Sequence, residues 1–189
     1  MYRINGIAKL QSFDVVETAK IILNRFLSLH ITYLTMFEIV KQTVTEIISN
    51  SHASKEVKLQ SICDLLRKEI PYYDWVGFYF HKEDENVLEL AQYSGNSTDH
   101  TIIPFGKGIC GQVALSNQNF VVPDVKAQDN YIACSLTVKS EIVIPIFVNG
   151  KNIGQIDIDS ETLDPFTAQD ELFLEWVCQQ VSNILIIPS

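Results

Sequence analysis

Three carboxylates in the C-terminal half of the sequence have a spacing that could build an anionic site. Asp157 and Asp159 occupy alternate positions of the stretch QIDIDS, and alternate side chains of a strand point to the same face of a sheet. Glu141 opens the preceding predicted strand, and the pair Asn149-Gly150 between the two strands favours a tight hairpin. We therefore expect the three carboxylates to converge. Clustered carboxylates raise one another's pKa unless a cation joins them, so the cluster is either a solvated sheet face or a site for a cationic group such as an amine.

Two of the four cysteines lie in predicted loops. Cys110 stands among glycines in FGKGICGQV, and Cys134 lies in the polar stretch KAQDNYIACSLTVK. A thiol on a loop can be reached by a reactant, whereas a cysteine on an apolar helical face packs as a small hydrophobic residue. Cys63 and Cys178 lie on such helical faces, and we expect them to be buried. For Cys110 two interpretations are open: a reachable thiol, or a small residue beside a tight turn.

The spacing of the cysteines and histidines argues against a metal site. The sequence contains no CxxC motif, and its four histidines follow no metal-binding pattern. Zinc sites in which ligands follow each other at short fixed intervals are therefore not expected. The prediction for metal is none.

Two aromatic residues could form an apolar wall beside the carboxylates. Trp75 and Tyr79 lie in DWVGFYF, where strand periodicity places them on one face. Core packing is one interpretation of this pair. An aromatic wall for an apolar part of a ligand is the other.

The elements that must position these residues form one α+β domain. Helical spacing is found in MFEIVKQTVTEIIS, in a second segment that contains Cys63 and in FTAQDELFLEWVCQQVSNIL. We expect a central antiparallel sheet with helices packed on one face, formed by residues 36–186. Residues 1–35 are predicted to be an N-terminal helical extension whose role the sequence leaves open. The predicted strands are DWVGFYF, VLELAQY, FVVPDV, SEIVIPIFV and IGQIDIDS, while SGNSTDHTIIPFGKG is predicted to be a loop and CGQVALSN a short helix.

Composition excludes several classes of partner. The chain has 189 residues, 47% of them hydrophobic, and a formal net charge of −9. The negative charge argues against nucleic acid and anionic membranes as partners. No apolar run reaches the roughly 18 residues of a membrane span, and no secretory signal is evident at the N-terminus. We expect a cytoplasmic protein, in which any disulfide is transient.

Several stretches, in this order, resemble the GAF-domain free methionine-(R)-sulfoxide reductases. They are DWVGFYF, IPFGKGICGQV, VVPDV, YIACS, SEIVIPI and GQIDIDS, and the resemblance covers about residues 36–186. It implies a single GAF domain with a ligand pocket on one side of the sheet. It also implies a thiol-dependent oxidoreductase that reduces the free amino acid, needs no cofactor, is regenerated by a thioredoxin-like dithiol and is often a homodimer.

The resemblance also implies roles for individual residues. Cys134 matches the catalytic cysteine of the family, and Cys110 matches a second family cysteine. Glu141 is the candidate proton donor for the departing oxygen. The implied substrate-binding residues enclose the polar end or the methyl group of the substrate, and they are Trp75, Tyr79, Glu141, Asp157 and Asp159.

The sequence departs from the family pattern at three positions. His100 stands where the family usually has a third cysteine, which commonly resolves the sulfenic acid. Tyr131 and Ser135 replace a histidine and an acid next to Cys134. Three alternatives follow: Cys110 resolves Cys134, an external thiol does so, or the chain is a catalytically impaired GAF module that binds a ligand or senses redox state.

Overall fold

The computed structural model describes residues 15–82, 84–128 and 137–185. The N-terminal part of this range is dominated by helices, and the remainder alternates strands with helices. The helices are α1 Val15–Ser49, α2 Lys55–Glu69, α3 Gly108–Ser116 and α4 Ala168–Leu185, with a short 3-10 turn at Val125–Ala127. The strands are β1 Trp75–His81, β2 Val87–Ser94, β3 Ile102–Pro104, β4 Phe120–Val122, β5 Ser140–Val148 and β6 Lys151–Ser160.

The strands form one antiparallel sheet in the order β3-β2-β1-β6-β5-β4. The predicted hairpin joins β5 to β6, where Val148 pairs with Lys151. Asn149 and Gly150 adopt φ angles of 52° and 76°, the left-handed conformations that a tight hairpin requires. The predicted α+β fold is confirmed.

The two faces of the sheet carry different helices. Ile156 and Ile158 point to the face covered by α2 and α4, where the thiol of Cys178 lies 3.7 Å from the carbonyl oxygen of Ile144. The alternate residues of β6 point to the opposite face, where α3 packs against β5 and β6. The prediction that helices pack on one face of the sheet therefore holds for α2 and α4. Helix α3 lies on the other face, together with the candidate site.

Burial explains the two helical cysteines. Cys63 and Cys178 are both buried, as their positions on apolar helical faces predicted. Removal from water raises the pKa of each thiol, because burial disfavours the charged thiolate. Neither thiol is activated for chemistry.

The segment between β2 and α3 is more ordered than its composition predicted. Within the predicted loop, β3 pairs with β2 through Ile103 and Leu88. Three residues are too few to show a strand period, which is why the sequence missed this edge strand. Helix α3 then begins at Gly108, earlier than predicted, and a Cβ at Gly111 would lie 2.4 Å from the carbonyl oxygen of Pro104. A glycine is therefore required where α3 approaches β3.

The chain separates into two compact units, with the division between Met36 and Phe37. In the first unit, several large apolar side chains are more than half exposed: Ile21, Ile22, Leu23 and Leu27. The predicted boundaries 1–35 and 36–186 include residues outside the described ranges and remain predictions. Among the described residues, none of the helices combines the length and hydrophobicity needed to cross a membrane.

Candidate active site

Three buried carboxylates lie together on the α3 side of the sheet. Glu141 on β5 pairs directly with Asp159 on β6, and Asp157 follows on the same face. Their exposed fractions are only 3%, 4% and 2%, respectively. This burial excludes the solvated sheet face that the sequence left open, and the predicted convergence is observed.

Burial is the main cause of the electrostatics of this cluster. It raises the pKa of Glu141 and of Asp159 well above the usual range of carboxyl groups, and negatively charged neighbours raise them further. Burial also raises the pKa of Asp157 to about 7, although a hydrogen bond from Cys110 opposes the shift. A carboxyl group with a raised pKa keeps its proton near neutral pH. The cluster therefore holds protons that a developing oxyanion could accept and that an incoming cation would displace.

Cys110 lies against this cluster rather than at the protein surface. The first turn of α3 places its Sγ 3.2 Å from Asp157 Oδ2 and 4.0 Å from Glu141 Oε1. The residue is only 4% exposed. Of the two interpretations left open, the structure thus supports neither fully: Cys110 is a buried thiol, but its neighbours are acids rather than an apolar corner alone.

The Trp75 side chain is fixed between two glycines. A Cβ at Gly77 would lie 2.2 Å from the indole, and a Cβ at Gly95 would lie 2.4 Å from it. The indole Nε1 donates to the carbonyl oxygen of Asn96 at 3.1 Å, and the ring stacks on Tyr93 with centroids 5.6 Å apart. Because Gly77 pairs with Asp157 across the strands, the indole lies beside the acidic cluster.

Tyr79 completes the aromatic wall. Its ring lies 6.3 Å from that of Trp75, and its hydroxyl donates to the carbonyl oxygen of His100 at 2.9 Å. The predicted aromatic pair thus borders the carboxylates, and Tyr79 also ties the β2–β3 connection to the sheet.

Two cavities open next to the carboxylates. The first cavity has a volume of about 40 Å³ and the second a volume of about 50 Å³. The first is lined by the aromatic pair, Asp157 and Asp159, together with residues that sequence reasoning did not identify, namely Asp74, Asn96, Ser97, Thr98, Thr137, Val138 and Glu161. The second is lined by Cys110 and Glu141 with residues from the segment 100–109, including His100 and Lys107.

Sequence reasoning missed Gly77 and the polar loop that lines the first cavity. A glycine inside a strand of aromatic residues indicates that another group packs closely against the backbone. This signal was present at Gly77. Asn96, Ser97 and Thr98 carried no comparable signal, because short polar loops are common. Cys134, Tyr131 and Ser135 lie outside the described residues, so their predicted roles remain predictions.

Comparison with known proteins agrees with this fold. The GAF domain model matches residues 55–185, so the chain belongs to the GAF domain family. Within that family it belongs with the free methionine-R-sulfoxide reductases, a group of oxidoreductases, as the following relatives show.

Two relatives and a solved structure with this name are similar to the chain at moderate sequence identity. The free methionine-R-sulfoxide reductase of Escherichia coli is 36% identical over 121 residues, which are 64% of this chain and 72% of the relative. The enzyme of the same name from Saccharomyces cerevisiae is 40% identical over 112 residues, covering 58% and 62% of the two chains. The structure of the Neisseria meningitidis enzyme in complex with its substrate is similar with a TM-score of 0.71, at 33% identity, and covers 78% of this chain and 89% of that one.

Proposed function

We propose that this protein reduces free L-methionine-(R)-sulfoxide to methionine. The observation that carries the proposal is a buried acidic cluster next to an aromatic wall. A free amino acid has an ammonium group that compensates buried carboxylates, and Asp157, Asp159 and Glu141 are in position to receive it. Its methyl-sulfoxide end would lie against Trp75 and Tyr79, because aromatic faces favour apolar groups.

The proposed first step is attack of Cys134 on the sulfoxide sulfur. The sulfoxide oxygen takes up one proton, its bond to the substrate sulfur breaks and it ends as the hydroxyl on the cysteine sulfur, so that methionine leaves and Cys134 becomes a sulfenic acid. The sulfur of the substrate is reduced by two electrons, and the cysteine sulfur is oxidised by the same two. Metal ions and organic cofactors take no part in this scheme.

Glu141 is the proposed proton donor for this step. A general acid must hold a proton at the working pH, and burial beside two other acids raises the pKa of Glu141 well above the usual carboxyl range. Its Oε1 also lies within 4.0 Å of the Cys110 thiol. The group is therefore able to give a proton to an oxygen that leaves the substrate in this part of the site.

The proposed catalytic cycle ends with a disulfide. A second thiol attacks the sulfenic acid of Cys134 and water leaves, after which a thioredoxin-like dithiol reduces the disulfide. Cys110 is the candidate resolving thiol, because His100 occupies the usual position of that cysteine. An external thiol is the alternative resolving group.

The proposal extends to the setting of the enzyme. A dithiol reductant requires a reducing compartment, which favours the cytoplasm, and we include a homodimer as the working assembly. The polar loop that carries Asn96, Ser97 and Thr98 lines the first cavity, and loops of this kind commonly close over a bound ligand.

Turnover of the purified protein tests the proposal. Free methionine-(R)-sulfoxide and dithiothreitol are added, and methionine is quantified for the wild type, Cys134→Ser and Cys110→Ser. We expect turnover by the wild type and none by Cys134→Ser. With thioredoxin as the reductant, Cys110→Ser is expected to lose steady-state turnover while it still releases one equivalent of methionine. Cys63→Ser is the matched control, since that thiol is buried on the other face of the sheet.

The outcomes separate the open alternatives. A wild type without turnover would disprove the reductase. Turnover by Cys134→Ser would move the nucleophile elsewhere, and normal thioredoxin-dependent turnover by Cys110→Ser would assign resolution to an external thiol.

A ligand-binding or redox-sensing module is the second candidate, favoured by the histidine at position 100. His100 lines the second cavity together with Cys110 and Glu141, so the chain has a cavity wall where the family usually has a reactive thiol. This candidate predicts that methionine or a similar amino acid raises the melting temperature although the sulfoxide is not reduced.

A further inference from the structure

One thiol and two carboxylates form a compact set of ligand atoms beneath α3. The three residues come from α3, β5 and β6, and all are at least 96% buried. Cys110 Sγ lies 3.2 Å from Asp157 Oδ2 and 4.0 Å from Glu141 Oε1, and the ligand atoms of the three residues all lie within 4.8 Å of one another.

These separations match those of a tetrahedral zinc site. Zinc binds thiolate sulfur at about 2.3 Å and carboxylate oxygen at about 2.0–2.2 Å, which puts neighbouring sulfur and oxygen ligands about 3.5 Å apart in a tetrahedron. The two sulfur–oxygen distances, 3.2 and 4.0 Å, lie on either side of that value.

An independent observation points to a cation at the same place. The Oδ1 atoms of Asp157 and Asp159 are buried and have no hydrogen-bond partner among the described residues. Buried carboxylate oxygens without partners are unfavourable, and a cation bound by Asp157, with Asp159 beside it, would compensate these carboxylates. Carboxylate oxygens together with a thiolate favour zinc over magnesium or calcium, which bind oxygen alone.

We propose that Cys110, Glu141 and Asp157 bind a zinc ion, which occupies the place of the substrate ammonium group and inhibits the enzyme. The three side chains supply three ligands, and the fourth position faces the cavities. The competition part of this inference rests on the proposed function, whereas the zinc site itself does not.

Zinc binding must displace protons from this site. Thiols and carboxyl groups bind zinc only after deprotonation, so affinity is expected to rise with pH. Among the described residues, the other titratable groups near the ligands are Asp159 on β6, Tyr79 on β1, Asp74 in the first cavity, and His100 and Lys107 in the second. Asp159 strengthens the attraction for the cation, and the Tyr79 hydroxyl is engaged with the backbone of His100.

The experiment is a calorimetric titration of the reduced, untagged full-length protein with zinc chloride. We expect one equivalent to bind, with proton release that increases as the pH falls from 8 to 6.5. Cys110→Ser and Asp157→Asn should each weaken binding at least tenfold, and Cys63→Ser should leave it unchanged. Thermal unfolding of each variant verifies that it is folded. Equal zinc binding by the wild type and Cys110→Ser would overturn the proposal.

Cobalt provides a second, spectroscopic readout. A tetrahedral site with a thiolate ligand gives Co²⁺ intense visible bands and a sulfur-to-metal charge-transfer band, whereas a six-coordinate oxygen site gives weak bands. We expect the tetrahedral spectrum in the wild type and no charge-transfer band in Cys110→Ser. A six-coordinate spectrum in the wild type would also overturn the proposal.

Competition is then measured with and without turnover. Zinc should raise the apparent KM for methionine-(R)-sulfoxide, and EDTA should reverse the effect. Methionine should weaken zinc binding in the calorimeter even if the protein has no reductase activity. If the protein binds zinc but does not reduce the sulfoxide, only the proposed function is refuted. If neither methionine nor methionine-(R)-sulfoxide affects zinc binding, the competition is refuted.

Discussion

At the scale of single residues, the buried acids decide the electrostatic character of the site. Glu141, Asp157 and Asp159 have raised pKa values because water cannot solvate their ionised forms. The folded protein therefore holds protons that the unfolded chain releases above about pH 4. Each such proton links the stability of the fold to pH.

The free energy of unfolding should consequently fall as the pH rises from about 4 to about 7, the pKa of Asp157. The sign follows because the folded state binds more protons than the unfolded state in this range, and one proton contributes at most about 1.4 kcal/mol per pH unit. Urea unfolding at a series of pH values measures the slope. Asp157→Asn should make the slope shallower, and Glu46→Gln, at an exposed position of α1, should not. Equal slopes in all three proteins would contradict the prediction.

Gln155 lies on the same strand face as Asp157. The side chain is fully buried, and neither amide atom has a hydrogen-bond partner among the described residues. Gln155→Met keeps the length of the side chain and removes the unpaired amide. The free energy of unfolding in urea should rise by about 1 kcal/mol.

Gln112→Met is the matched control for this substitution. The amide of Gln112 donates to the carbonyl oxygen of Gly108 at 3.0 Å, so its removal should be neutral or destabilising. If Gln155→Met is destabilising instead, the amide of Gln155 has a partner in solution.

Among the secondary-structure elements, β1 shapes the cavity both through the missing side chain at Gly77 and through the indole of Trp75. The missing side chain at Gly77 leaves the room in which the Trp75 indole lies, next to Asp157 on the neighbouring strand. The close packing of the indole on both glycines fixes the wall before any ligand arrives. Rigid walls of this kind reduce the cost of ordering a site on binding.

Gly77→Ala should displace the indole and weaken ligand binding. The new Cβ would lie 2.2 Å from the ring, and such overpacking costs about 1–3 kcal/mol of stability. We expect methionine to raise the melting temperature of this variant much less than that of the wild type, which thermal unfolding with and without methionine measures.

Gly150→Ala separates a local backbone effect from an effect on the site. A Cβ at Gly150 meets nothing within 4 Å, but φ is +76°, so strain alone should cost about 1 kcal/mol. The methionine effect should remain that of the wild type. The same loss of ligand response in both variants would contradict the role of Gly77.

At the scale of the whole molecule, the second unit contains the complete sheet and its core. Its first residues contribute to that core, since Phe37 is 4% exposed and stacks on Phe173 with centroids 4.6 Å apart. Val40 and Val44 are fully buried as well. A chain that begins at Met36 therefore keeps the side chains on which the sheet packs.

We expect the chain shortened to residues 36–189 to fold cooperatively. Its circular dichroism should show a single thermal transition, and methionine should raise its melting temperature as in the full-length protein. Loss of the transition would show that residues 1–35 are needed for the fold. A folded protein without a methionine response would show instead that they are needed for the site.

The sequence determined the type of each main element and several parts of the site. The hairpin, the strands β1, β5 and β6 and the terminal helix follow from local periodicity and turn chemistry, which act over a few residues. The same local rules placed Asp157 and Asp159 on one face. The short strand β3 escaped prediction because it has too few residues to show a period and is formed by pairing with β2.

Only the tertiary structure decided what the site contains. Burial showed that the three carboxylates form a proton-rich cluster rather than a solvated sheet face. The sequence could not show this, because the pKa of a carboxyl group depends on neighbours that are distant in sequence. Packing brought Cys110 of α3 to Glu141 and Asp157. The rule of short, regular ligand spacing considers only ligands that are close in sequence, so it cannot recognise candidate ligands that come from three separate elements. The sequence specified the residues and their local faces, and the folded sheet specified their distances and their exclusion from water, from which their chemistry follows.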